Sequence, residues 1–105
     1  MIQTGSAPTM SELANLAKSG RIKDVNILMS YLEGNVSIVN CKMIDYALGL
    51  IISEEGRNQI KHYLFNGIQI QRNYAALYFK RLGTVELLKE AVKKGCIDEI
   101  IAYSR

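Results

Sequence analysis

The chain has 105 residues, enough for one domain whose core needs neither disulfides nor a metal. Hydrophobic residues make up 49% and charged residues 22%, ordinary values for a globular protein, which excludes disorder for the body of the chain. The net charge of +3 comes from basic and acidic residues that are scattered rather than blocked, so nucleic acid is permitted as a partner but not indicated.

Residues 1–9, MIQTGSAPT, hold the only proline and a Gly-Ser pair without periodicity, and read as a flexible leader or an expression remnant. A single domain is expected over residues 10–105. Ser11 is the candidate N-cap of SELANLAKSG, which sets Leu13, Leu16 and Ala17 on one face. In RIKDVNILMSYLEG the stripe is Ile22, Val25, Leu28, Met29 and Leu32. A longer and more apolar third helix is expected from Ser37 to Ser53, with Ile44, Leu48, Ile51 and Ile52 as core candidates. Ile60 and Leu64 mark a fourth helix, and Ala75, Ala76, Phe79 and Leu82 the broad face of a fifth. Thr84 is the expected cap of a sixth, carrying Leu87, Leu88, Ala91 and Val92, with Lys93 and Lys94 in its last turn. After Gly95 there is room for one short terminal helix.

Gly20, Gly34, Gly56, Gly67, Gly83 and Gly95 follow these segments as helix stops. No segment sustains strand alternation, so the fold class is all-α, a stack of about seven short helices.

Sliding the chain by 28 residues pairs Tyr46 with Tyr74, Ala47 with Ala75, Lys61 with Lys89 and Gly67 with Gly95, and matches the apolar positions Ile51 with Phe79, Ile60 with Leu88 and Leu64 with Val92. An internal repeat is therefore expected. The stretch from Gly20 to Gly67, GRIKDVNILMSYLEGNVSIVNCKMIDYALGLIISEEGRNQIKHYLFNG, resembles one armadillo repeat, with a Gly-x-Ile start, an apolar helix, a break, and a long helix with Ala and Leu. Its length falls within the roughly 40 to 47 residues of armadillo and HEAT units. The following IQRNYAALYFKRLGTVELLKEAVKKGCIDEII resembles the later part of such a unit, although its early helices are missing. The resemblance implies a right-handed α-α superhelix and a non-catalytic protein-protein interaction module. It places Tyr46, Gly49 and Ser53, then Tyr74, Leu77 and Arg81, on a concave surface. The groove asparagine and tryptophan of the peptide-binding members are not retained at Ser53 and Arg81 or at Gly49 and Leu77. LAKSGRIKDV is also faintly similar to pentatricopeptide repeats, which leaves a helical-repeat RNA binder as the alternative function.

Catalytic constellations are not found. His62 is the only histidine and has no metal-ligand spacing, so no metal, cofactor or catalytic residue is expected, and an enzyme is the least favoured class. Glu54 and Glu55 read as acids favouring the start of the following helix. Tyr74 and Tyr78 interleave with Arg72, Lys80 and Arg81, which suits either a binding surface or an amphipathic helix that buries its rings. Cys41 and Cys96 are expected as free thiols.

The longest wholly apolar run, residues 48–52, is far below the roughly 20 residues that span a bilayer, and the start lacks a signal-peptide pattern, so no membrane span and an intracellular setting are expected. At the other end, Ile100 and Ile101 with Tyr103 at the rim form a candidate face for a protein partner or for a second copy in a weak homo-oligomer.

Overall fold

The computed structural model describes residues 8–34 and 37–103; of the expected leader, residues 1–9, only Pro8 and Thr9 lie within them. Among the described residues the chain forms seven helices and no strand: α1 Met10–Ser19, α2 Ile22–Ser30, α3 Ile38–Leu48, α4 Glu54–Asn66, α5 Gln69–Leu82, α6 Val85–Lys93 and α7 Glu99–Tyr103. The all-α expectation stands.

The cap of α1 is Thr9 rather than Ser11. Its hydroxyl accepts from the backbone N–H of Glu12, while the Glu12 carboxylate accepts from the Thr9 N–H at 2.8 Å, a reciprocal box that starts the helix before Ser11 is reached. Ser37 caps α3 through the Asn40 N–H, and Ser53 caps α4 through the Gly56 N–H. Ser53 is thus the start of a helix and not the end of the expected long third one, which stops at Leu48. The linker between them is held down by Tyr78, whose hydroxyl donates to the Ile51 carbonyl at 2.6 Å.

Two expected glycine stops differ in kind. Gly20 has φ of 64°, the left-handed conformation that ends α1, and the Ser53 side chain fills the place where a Cβ would stand. Gly56 does not end a helix; it lies in the first turn of α4, where a side chain would meet Ile51, Ser53 and the Gly20 carbonyl. Its missing Cβ lets α4 sit on the α1–α2 turn.

In chain order the helices fall into successive pairs, α1 and α2, α3 and α4, and α5 and α6, followed by α7; α1 packs on α2 and α5 on α6, whereas α4 packs on α2 and α5 rather than on α3. Helices α1, α3, α5 and α7 make one row of successive neighbours, α2 packs on α4, and α4 also packs broadly against α5. The core runs through both rows, with Leu13, Leu28, Met29, Leu32, Ile44, Leu48, Ile60 and Leu64 almost fully buried. Ile51 joins it from the linker. Ile52 and Leu82, expected in the core, are exposed, Ile52 because the chain leaves the helix before reaching it.

The gapless 28-residue register separates the caps of α1 and α3, Thr9 and Ser37, but is not the one the second and third pairs follow. The caps Ser37 and Ser53 of the second pair each precede those of the third, Ile68 and Thr84, by 31 residues. In that register Ile44 matches Ala75, Ala47 matches Tyr78, Leu48 matches Phe79 and Ile60 matches Ala91, and all eight are buried. Tyr46 and Tyr74 are not equivalent, since Tyr46 is exposed and Tyr74 half-buried.

Polar ties join the pairs. Between the first and second, Ser53 donates to the Gly20 carbonyl, the Ile22 N–H donates to the Glu55 carboxylate, and Gln59 donates to Asn26, each across 33 residues. Both acids sit in the first turn of α4 as expected, and Glu55 in addition caps α2, whose own N-cap residue Arg21 supplies no side-chain acceptor. Gln71 is 4% exposed; its amide donates to the Met29 carbonyl at 3.1 Å and accepts from the Ile68 N–H at 2.9 Å. Thr84 stands at the α6 cap position, but its hydroxyl turns back to the Phe79 carbonyl.

Candidate interaction surface

One side of α3 is committed to the core through Cys41, Ile44, Ala47 and Leu48. Its other side carries Ile38 and Val39, 76% and 66% exposed, then Lys42 and Tyr46, the last 63% exposed. The spacing of 38, 42 and 46 sets Ile38, Lys42 and Tyr46 in line along the helix. Adjacent to this strip, Arg81 reaches from the last turn of α5 back to α3. Its guanidinium donates to both Asp45 carboxylate oxygens, at 3.1 and 3.0 Å, and to the Asp45 carbonyl at 3.4 Å. This forked pair closes the C-terminal end of α3 and bridges the second and third helix pairs.

Arg81 also separates two open clefts. One, of about 280 Å³, is lined by Lys42, Asp45, Tyr46, Gly49, Leu50 and Arg81. The other, of about 260 Å³, shares Gly49 and Arg81 and adds Ile51, Ile52, Arg57 and Leu82, with Tyr78 at its base. Arg57 donates from Nε to the Tyr78 hydroxyl at 3.2 Å, so Tyr78 receives from α4 and gives to the linker. The linings of the two clefts together hold Lys42, Arg57 and Arg81 against one carboxylate, that of Asp45.

The residues expected on a partner surface are divided by the fold. Tyr46 and Arg81 lie on the clefts together. Leu77 is half-buried on α5. Tyr78 is 3% exposed, and Ser53 is taken up by its cap and by Gly20. Tyr74 is half-buried against Cys41; burial, then Cys41 and Asp45 nearby, holds its phenol above the ordinary value. Burial, then the Glu33 carboxylate, raises Tyr63 in the same direction, and its hydroxyl donates to Asn26.

At the far end, Ile100 is 74% exposed, Ile101 is half-buried with its carbonyl accepting from Lys80, and Ile97 and Ala102 are buried. Tyr103 ends α7, and its expected place at the rim lies outside what is described.

Sequence reasoning missed Arg57, Asp45 and the exposed pair Ile38 and Val39. The i,i+4 spacing of Ile38, Lys42 and Tyr46 was a signal for the strip; nothing in the sequence marked Arg57.

Cys41 is buried and Cys96 half-buried, and both are free. Among the described residues no His, Cys, Asp and Glu side chains gather in a group that could hold a metal ion, and no helix is long and apolar enough to cross a membrane. His62 is exposed on α4. Comparison of the chain with protein-family models, with curated proteins and with solved structures finds no match.

Proposed function

We propose that this chain is a non-catalytic protein-protein interaction module, a right-handed α-α superhelix of stacked helix pairs that offers α3 and the adjoining clefts to a protein partner. The observation that carries this reading is the outward strip of α3, where Ile38, Val39 and Tyr46 stay exposed on a helix whose opposite side is wholly in the core. Large apolar side chains gathered on one exposed face mark interaction sites. A stack of pairs keeps such a face rigid, because each pair is buttressed by the next.

Cap-to-cap steps of 28 and 32 residues from the first two helices to the next two, and of 31 from those to α5 and α6, favour units of about 30 residues. Ankyrin and tetratricopeptide units, at about 33 to 34 residues, are nearer in size than the roughly 40 to 47 of armadillo and HEAT units.

A photo-cross-linking side chain placed at Val39, and separately at Lys61 on the exposed side of α4, tests the reading. The partner captured from Val39 is purified and titrated against wild type and a Val39→Asp, Tyr46→Asp variant. Capture from Val39 alone, with affinity lowered roughly tenfold or more in the variant and tolerant of salt, is the expected result. Equal capture from both positions, or equal affinity in the variant, contradicts it. Steep salt-dependent binding of RNA in place of a protein gives the function to the RNA-binding alternative.

A further inference from the structure

We infer that the cleft between the α3–α4 linker and the end of α5 takes an acidic segment of the partner, with a carboxylate on Arg57 and an adjoining aliphatic or aromatic side chain between Ile52 and Leu82. The inference rests on the protein-binding reading above and adds the chemistry of the ligand.

Arg57 carries it. The side chain is half-buried, its Nε is engaged by Tyr78, and among the described residues it makes no ion pair and no other hydrogen bond. Its two terminal nitrogens therefore lack protein partners at the edge of an open cleft. A guanidinium fork matches a carboxylate in two parallel hydrogen bonds, and the Tyr78 contact fixes the fork before any ligand arrives. Arg81 differs, since Asp45 already occupies it. With Asp45 so paired, Arg57 remains as an uncompensated positive charge on the lining of this cleft, and Lys42 lines the adjoining one. The complement is negative.

The walls decide between an acidic peptide and a nucleic acid. Ile52 is 78% exposed and Leu82 43% exposed, so the cleft offers aliphatic surface where single-stranded RNA is held by aromatic stacking. A peptide that alternates a carboxylate with an apolar side chain meets both the fork and the walls.

A random-peptide display library selected on the full chain tests this. Enriched peptides are expected to place Asp or Glu beside Leu, Ile or Phe, and a selected peptide, followed by fluorescence anisotropy, is expected to bind Arg57→Gln roughly tenfold or more weakly. Because Arg57→Gln also removes the Tyr78 contact, Ile52→Asp, at a residue exposed and outside every helix, is measured beside it with the same loss expected. Peptides that show no acidic enrichment, or that bind both variants as they bind wild type, overturn the inference while leaving the protein-binding reading in place. Failure to enrich any peptide overturns it, as does binding of an oligouridine probe that Ile52→Asp abolishes.

Discussion

Replacing Gln71 by methionine removes a tie between the first and third helix pairs while nearly preserving volume. The wild-type amide is buried, and it joins the Met29 carbonyl near the end of α2 to the Ile68 N–H that opens α5. The Met29 carbonyl keeps a backbone bond from Leu32 after the change, so its loss is partial, whereas the Ile68 N–H loses its side-chain partner. The two shorter hydrogen bonds, at about 1 kcal/mol each, give a loss of about 2 kcal/mol, to which the long 3.4 Å bond to Glu33 adds little and a dry N–H up to about 1 more. For a domain of this size that lowers Tm by roughly 8 to 16 °C. Gln71→Glu keeps the acceptor but sets a carboxylate against the Met29 carbonyl and near Glu33, and is expected to be worse than methionine. Thermal and urea unfolding, monitored by circular dichroism, measure both. A methionine variant within about 0.5 kcal/mol of wild type, with the same helix content, would refute the reasoning.

Glu55→Ala removes the acceptor at the start of α2 and is expected to lower stability by about 1 kcal/mol in urea titration; an unchanged midpoint would deny the cap between pairs. Burial holds the phenols of Tyr63 and Tyr74 above 10.0, so the folded state retains protons that the unfolded state releases. Their contribution is complete below pH 10.0 and is lost as pH rises through the raised values; Tyr63→Phe, Tyr74→Phe should flatten that alkaline decline, and a parallel decline would exclude both residues as its source. Ile100, exposed on α7, is expected to support weak self-association visible by light scattering at high concentration and abolished by Ile100→Asp, whereas a strictly monomeric wild type would remove that role.

Apolar periodicity was enough to locate the first six helices, because Leu13, Val25, Ile44, Ile60, Ala75 and Leu88 each sit on a stripe that the fold buries, while α7 was expected only from the length left after Gly95. The α3–α4 boundary was less legible. The run Leu48 to Ile52 is apolar throughout, and only the Ser53 hydroxyl on Gly56 and the Tyr78 hydroxyl on Ile51 break it into helix end and linker. The first is a local cap, but the second depends on the tertiary arrangement, Tyr78 being 27 residues from its acceptor. Tyr-Ala recurs by sequence at 28 residues, whereas the caps of α3 and α4 are followed by those of α5 and α6 at 31, a spacing visible only once the helix starts are placed. Of the candidate surface, Tyr46 and Arg81 were legible as an aromatic and a cation on helix faces. The role of Arg57 was not, since a guanidinium in a helix reads as a solvated surface charge until its neighbours are known.

The most direct measurement is amide chemical-shift mapping of the isotope-labelled chain with a binding partner or selected peptide, repeated at rising salt. The expected result is a contiguous set of shifts over Val39, Tyr46, Gly49, Ile52, Arg57 and Leu82 that survives in moderate salt while the affinity declines gently, as apolar contact with a single desolvated ion pair requires. Shifts confined to the exposed side of α4 and α6, around Lys61, Lys89 and Lys93, with an affinity that collapses as salt rises, would contradict it.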